Sequence, residues 1–229
     1  MTMDSALLLL ADGRFPAGAH AHSAGLEAAV TAGRVTELRD VEAFLRGRLA
    51  TAGLVTAAFA VAAHRADTLP AGKRPGRLAE LDAELDARTA APALRAVSRR
   101  QGRALLRAGR TVWPGGRFTD LPAEPGGPHQ PLVLGLIGVA AGLAASQVAL
   151  LAIHGTVTGP ANAAVRLLGL DPYEVQALLV RLAPTGDRIA AAAVRAAAEP
   201  PAALPCAAAP LTDIQAEAHA TWEVRLFAS

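Results

Sequence analysis

The chain has 229 residues, of which 52% are hydrophobic, 18% charged and only 3% aromatic, so a sizeable core is possible and disorder is excluded for the bulk of it. Alanine supplies about a quarter of the residues and isoleucine only four, which disfavours a sheet-rich fold and favours a helical one. The net charge of +2, from 21 Arg and the single Lys73 against 20 acids, does not by itself mark a nucleic-acid binder, and a lone cysteine, Cys206, excludes an internal disulfide and suits a cytoplasmic address.

Helical periodicity dominates, and it predicts one all-α domain over residues 1–229, a bundle of roughly nine helices. A first helix is expected over Met3 to Leu10, followed by the loop ADGRFPAG and a second helix from about His20 to Ala32, stopped by Gly33. Thr36 reads as the cap of a long helix reaching about Arg65, with Leu38, Val41, Leu45, Leu49 and Ala52 on one face and Gly53 as a point of bending. Leu78, Leu81 and Leu85 mark a short amphipathic helix, and Pro92 opens another that runs to about Val112. Trp113 to Pro128 is half Gly and Pro and must be irregular. An uncharged helix follows from Pro131 to Ile153, with Gly155 and Gly159-Pro160 as expected interruptions. Asp171-Pro172 is a start signal for a helix ending near Pro184, and a further helix is expected from about Gly186 to Ala198. Residues 199–210, EPPAALPCAAAP, read as a linker, and residues 211–229 as a partner-docking helix and tail with a stripe of Leu211, Ile214, Ala218 and Trp222.

The uncharged stretch is long enough to cross a bilayer. It is nevertheless rich in Gly and Ala, contains Ser146 and Gln147, and lacks flanking basic residues, so a buried helix of a bundle is the better reading. Its glycines Gly135, Gly138 and Gly142 permit close helix packing. Signatures of catalysis are missing: there is no P-loop, no G-x-G-x-x-G, no G-x-S-x-G elbow, no H-E-x-x-H and no C-x-x-C. His20 and His22 form an H-x-H pair, but two residues apart on a helix they diverge, which argues against a shared metal and against a hydrolase built on them.

Eight Arg and no acid lie between Ala87 and Thr119, with Arg95, Arg99, Arg103 and Arg107 four residues apart. This stripe admits three readings: a solvated face, a docking strip for an acidic protein, or a phosphate-contacting strip over residues 95–110 of a helical nucleic-acid-binding regulator. The last is weakened by the want of interleaved aromatics and of a helix-turn-helix pattern.

Five blocks, in order, resemble one family. LLLLADGRFPAGAHAHSAGLEAAV, from Leu7 to Val30, resembles the N-terminal signature of the urease accessory protein UreF family, with Asp12, Pro16, Gly18, His22, Ser23, Gly25, Leu26 and Glu27 in register. LRAVSRRQGRALL resembles its R-x-x-S-x-R-Q-G segment through Arg95, Ser98, Arg100, Gln101 and Gly102, and HQPLVLG its H-x-P-x-x-x-G helix opening. NAAVRLLGLDPYEVQALLVRLAP and the closing PLTDIQAEAHATWEVRLFAS complete the likeness. The chain departs from the pattern at His20, Asn162 and Gly169, and around Leu150 and His154.

The resemblance implies an all-α adaptor that is not an enzyme, dimerises, and binds UreD (also called UreH), the GTPase UreG and the urease apoprotein. It implies no permanently bound cofactor, nickel in transit as cargo, and GTP held by UreG. Neither nucleic acid nor membrane is an expected partner. By the same resemblance, Asp12, Pro16, Gly18, His20, His22, Ser23, Glu27, Arg95, Ser98, Arg100, Gln101 and Arg166 are expected to face UreG or line a metal path. His219, Trp222, Arg225, Leu226 and Phe227 are expected to face UreD.

Overall fold

The computed structural model describes residues 3–16, 22–123 and 125–227, and no strand occurs among them. The helices are α1 (Met3–Ala11), α2 (Leu26–Thr31), α3 (Leu38–Arg48), α4 (Leu54–Ala66), α5 (Arg74–Arg88), α6 (Pro92–Val112), α7 (Gln130–Ala140), α8 (Ala145–Leu168), α9 (Pro172–Ala196) and α10 (Pro210–Ala220). A π-helical turn, Leu49–Gly53, joins α3 and α4 into one helical segment, and Gly53, the expected point of bending, is the last residue of that turn with helical φ and ψ. The expected all-α fold is the observed one.

The core centres on α4, which packs against α7, α8 and α9. Its alanines make this possible: Ala57, Ala58, Ala60 and Ala63 are fully buried and let neighbouring backbones approach. Gly135 of α7 lies so close to α4 that a Cβ there would collide with the Ala60 carbonyl and sit 2.8 Å from the Ala63 Cβ. Gly138 is pressed in the same way against Val148 of α8. Two segments, Leu38–Ala66 and Ala145–Leu168, are long and apolar enough to cross a membrane by length and composition, and in each just over half of the apolar window is buried within the bundle.

Several expected boundaries move. The uncharged run is two helices, because Gly142 adopts φ +73° and ends α7, with Leu143 N–H donating to the Gly138 carbonyl at 2.8 Å. The Gln147 side chain then accepts from Ala144 N–H at 2.8 Å and starts α8. Conversely, Pro160 does not interrupt α8, and Pro184 does not interrupt α9. Pro184 lies on the exposed face of α9, where the carbonyl it leaves without a donor meets water. The buried stripe Val175, Leu178, Leu182, Gly186, Ala190 and Ala193 runs past it unbroken and overrides its propensity. The second helix is much shorter than expected, six residues, because His22 to Gly25 form a turn in which Ala24 and Gly25 both take positive φ, 53° and 91°. The predicted start at His20 lies outside the described residues. Asp171 caps α9 as expected, accepting from Tyr173 N–H at 2.8 Å.

Residues 199–210 lie against the bundle: the Arg88 guanidinium donates to the carbonyls of Pro201, Ala202 and Leu204, and Leu204 is buried. The final helix stops at Ala220, and the described tail, residues 221–227, is irregular with several bends.

Candidate partner-binding groove and tail clasp

The two ends of the chain meet at Glu27. Ser23 Oγ accepts from Glu27 N–H at 3.3 Å, which fixes the start of α2. The Glu27 carboxylate, 6% exposed, then accepts from three groups near the C-terminus. His219 Nε2 donates at 2.9 Å, Leu226 N–H at 2.8 Å and Phe227 N–H at 3.1 Å. A buried carboxylate is tolerable because its oxygens are met by donors. Trp222 packs on the His219 ring, centroids 4.6 Å apart, and the Arg166 guanidinium lies 6.0 Å from the Phe227 ring centroid. Residues expected to serve two partners, Ser23, Glu27 and Arg166 on one side and His219, Trp222, Leu226 and Phe227 on the other, thus form one clasp.

A second buried polar cluster joins α5, α6 and the start of α7. Arg99 donates to Asp82 and Asp86, both at 2.9 Å, and to the Gly127 carbonyl at 2.6 Å. His129, fully buried, donates its backbone N–H to Asp82 at 3.1 Å and bridges Ser98 Oγ and Asp86 through its ring at 3.0 and 2.9 Å. Burial holds the His129 imidazole below its usual range despite the raising effect of Asp82 and Asp86. Burial opposes ionisation of Asp86, yet the hydrogen bonds from His129 and Arg99 hold its carboxyl below the usual value. Gly102 lets α6 pass against the chain at Pro128, where a Cβ would strike the Pro128 carbonyl.

Between these two features runs a groove of about 520 Å³. Four of the five sequence blocks contribute to its lining: His22 and Ala24 from the first, Ser98 and Gln101 from the second, Gln130 from the third, and Thr212 and Asp213 from the last. Its apolar floor includes Val55, Leu94, Val97 and Leu151. Arg48, at the end of α3, also lines it, donating from Nη1 to the Ala24 carbonyl at 2.8 Å. The carboxyl of Asp213, which lines the groove from α10, is pushed up by burial. Arg48 belongs to none of the blocks; the sequence signal that could have marked it is a cation on the boundary of a buried helix face, three residues after Leu45.

The other expected residues are scattered. Asp12 is tied to its neighbour Arg14, accepting from Nε, Nη2 and the backbone N–H, and Arg14 holds the carboxyl below its usual range. Pro16, Arg100 and Arg225 are exposed; Gly18 and His20 lie outside the described residues. The arginine stripe is interrupted: Arg95 donates to the Thr89 and Ala90 carbonyls, Arg99 is buried in its cluster and Arg103 donates to the Gly126 carbonyl, while Arg107 is exposed. The final helix turns Ala216 and His219 inward and leaves the stripe expected to meet a partner largely uncovered: Leu211 and Ile214 are 49% and 68% exposed, forming an apolar face next to the groove. Among the described residues no group of three or more His, Cys, Asp or Glu is placed to hold a metal ion.

Comparison with known proteins adds the following. The family model described as UreF matches residues 35–183. The urease accessory protein UreF of Mycobacterium sp. (strain JLS) is 48% identical over 229 residues, covering all of both chains. That of Mycobacterium marinum is 43% identical over the same full span, and that of Mycobacterium tuberculosis (strain H37Rv) is 43% identical over 221 residues, 96% of this chain and 95% of its own. The full-length relatives therefore extend the likeness over both clasp-forming ends, which lie beyond the family-model match.

Proposed function

Because the chain belongs to the UreF family of urease accessory proteins, we propose that it is a cytoplasmic adaptor in nickel insertion into urease. In this reading it performs no chemistry of its own. It binds UreD (UreH) and the GTPase UreG, presents them to the urease apoprotein, and governs when GTP-dependent delivery releases nickel, the cargo. A homodimer is the working unit, and the exposed outer face of α9, with Tyr173 at 84% and Val180 at 73% exposure, is the surface a second copy would cover.

The observation that carries the reading is the convergence of four sequence blocks on one open groove beside an exposed apolar helix face. A fold built only for its own stability has no need to gather such distant polar groups around unfilled space. The clasp adds a further support, since the tail expected to meet UreD is positioned by the N-terminal turn. The nucleic-acid alternative asks for a continuous row of free cations along residues 95–110, and the row of Arg95, Arg99, Arg103 and Arg107 is broken at Arg99, which is buried against Asp82 and Asp86.

Co-purification of the tagged chain with UreD, UreG and urease subunits from a urease-positive host tests the proposal, alongside a salt titration of DNA binding. Recovery of the accessory proteins with no tight DNA complex is the expected result. A tight DNA complex with none of the accessory proteins recovered would overturn it.

A further inference from the structure

Two arginines line the groove, and of these Arg88 is paired with Glu84 while Arg48 has no carboxylate partner among the described residues. Only its Nη1 has a hydrogen-bond partner, the Ala24 carbonyl, while Nε is shielded from solvent and makes no hydrogen bond. Among the described residues no carboxylate lies within ion-pairing distance of it, the groove-lining Asp213 included. The nearest compensating group is the Phe44 ring, whose centroid is 6.0 Å from the guanidinium carbon. Desolvation without a counter-charge brings its pKa down to about 10. Arg48 is half-buried with its Nε wholly shielded, and a guanidinium taken even partly out of water is ordinarily paired.

We propose that Arg48 is a docking residue for an acidic side chain, supplied by an accessory-protein partner that covers the outer face of α10 and inserts the carboxylate into the groove. This rests on the adaptor reading and deepens it. Because Nε is shielded, the terminal Nη1 and Nη2 are the edge left to an incoming group, a planar fork that matches a carboxylate with two bonds. Gln101 and Gln130 line the same groove and offer amide donors, and Val55 and Leu151 suit the methylene stem of a glutamate. A groove of about 520 Å³ far exceeds a lone ion and has room for a side chain borne on a partner segment. A protein rather than a small free carboxylate is indicated by Leu211 and Ile214, the exposed apolar residues that flank Thr212 and Asp213 on α10. A small molecule in the groove leaves them in water; a protein docked over it covers them.

The test measures binding of the full-length chain to purified UreD and to purified UreG, each immobilised, for the wild type, Arg48→Gln and Arg48→Lys. Helical circular dichroism and the thermal midpoint are recorded for every variant. Arg48→Gln is expected to weaken one of the two complexes by about tenfold or more, and Arg48→Lys, which keeps charge and loses the fork, by several-fold. The wild-type complex is expected to weaken more steeply with added salt than that of Arg48→Gln. Arg48→Lys serves as the deciding variant if Arg48→Gln does not fold. Wild-type affinity in the folded variants for both partners sinks the docking role while leaving the adaptor reading intact. Failure of the wild type to bind either partner sinks both. A rise in the wild-type thermal midpoint with free glutarate, lost in Arg48→Gln and accompanied by unchanged partner binding, assigns the site to a small carboxylate and overturns the proposal.

Discussion

Replacing Glu27 with glutamine keeps the shape of the clasp while removing its charge and one of its acceptors. In the native arrangement one carboxylate oxygen accepts from Leu226 N–H, and the other from Phe227 N–H and His219 Nε2. In glutamine one of those positions becomes an NH2 group pointed at a backbone donor, so either Leu226 or Phe227 loses its acceptor. A hydrogen bond to a charged group is worth about 1.5–3 kcal/mol net, and the bonds that survive lose their charge assistance. Together these place the cost near 3 kcal/mol, which multiplies the population of the detached tail by roughly 150. Native-state hydrogen exchange reads this at the amides of Leu226 and Phe227, with amides of α4 as the internal reference. Exchange at the two tail amides is expected to accelerate by about two orders of magnitude, with α4 protection unchanged. Acceleration below about threefold would mean that the carboxylate does not hold the tail, and the clasp argument would fail.

Three further outcomes follow from the same structure. The His129 imidazole has a lowered pKa in the fold, so the unfolded chain binds more protons than the native one below about pH 6.5; stability is therefore full above that value and declines as pH falls toward the folded pKa. A thermal midpoint measured from pH 7.5 down to about pH 5 should fall, and His129→Gln should flatten that slope while lowering the midpoint at pH 7.5. Gly135→Ala forces a Cβ against the backbone of α4 at Ala60 and should cost about 1–3 kcal/mol in a urea titration with little change in slope. Deleting Glu223 to Ser229 removes Leu226 and Phe227 from the clasp and should abolish the UreD complex and urease activation while the helical spectrum persists; full-strength UreD binding by the truncated chain counts against the tail as a docking element.

The parts of the fold that were legible in the sequence are those where local chemistry and tertiary packing agree. Pro92 at the first position of α6, Asp171 ahead of α9 and the Leu78, Leu81, Leu85 stripe of α5 each have a local cause and appear where expected. The misplaced boundaries are those where packing decides. Pro160 and Pro184 break a helix by propensity, but α8 and α9 are held along their length by neighbours, so the helices continue. Gly142 has the same composition around it as Gly138, and only the left-handed turn it adopts separates the end of a helix from its middle. Nor does helical spacing say which Arg of α6 faces inward: Arg99 is buried only because α5 brings Asp82 and Asp86 to meet it.

Site residues divide along the same line. The motif blocks marked Ser23, Glu27, Ser98 and His219 because each is a polar group in a recognisable spacing, yet they gave no indication that Glu27 and His219, 192 positions apart, share a hydrogen bond. That pairing changes how the two sets of residues are understood. Ser23 fixes the turn that sets Glu27, and Glu27 holds Leu226 and Phe227, so the backbone path of the tail depends on the N-terminal turn. Arg48 extends the dependence, since its Nη1 anchors the carbonyl of Ala24, a non-glycine residue at φ 53° in that same turn. A left-handed alanine costs about 1 kcal/mol or more and persists only where its surroundings hold it. The turn, the tail and the wall of the groove are therefore stabilised as a unit, and a substitution in any one of them is felt at the other two.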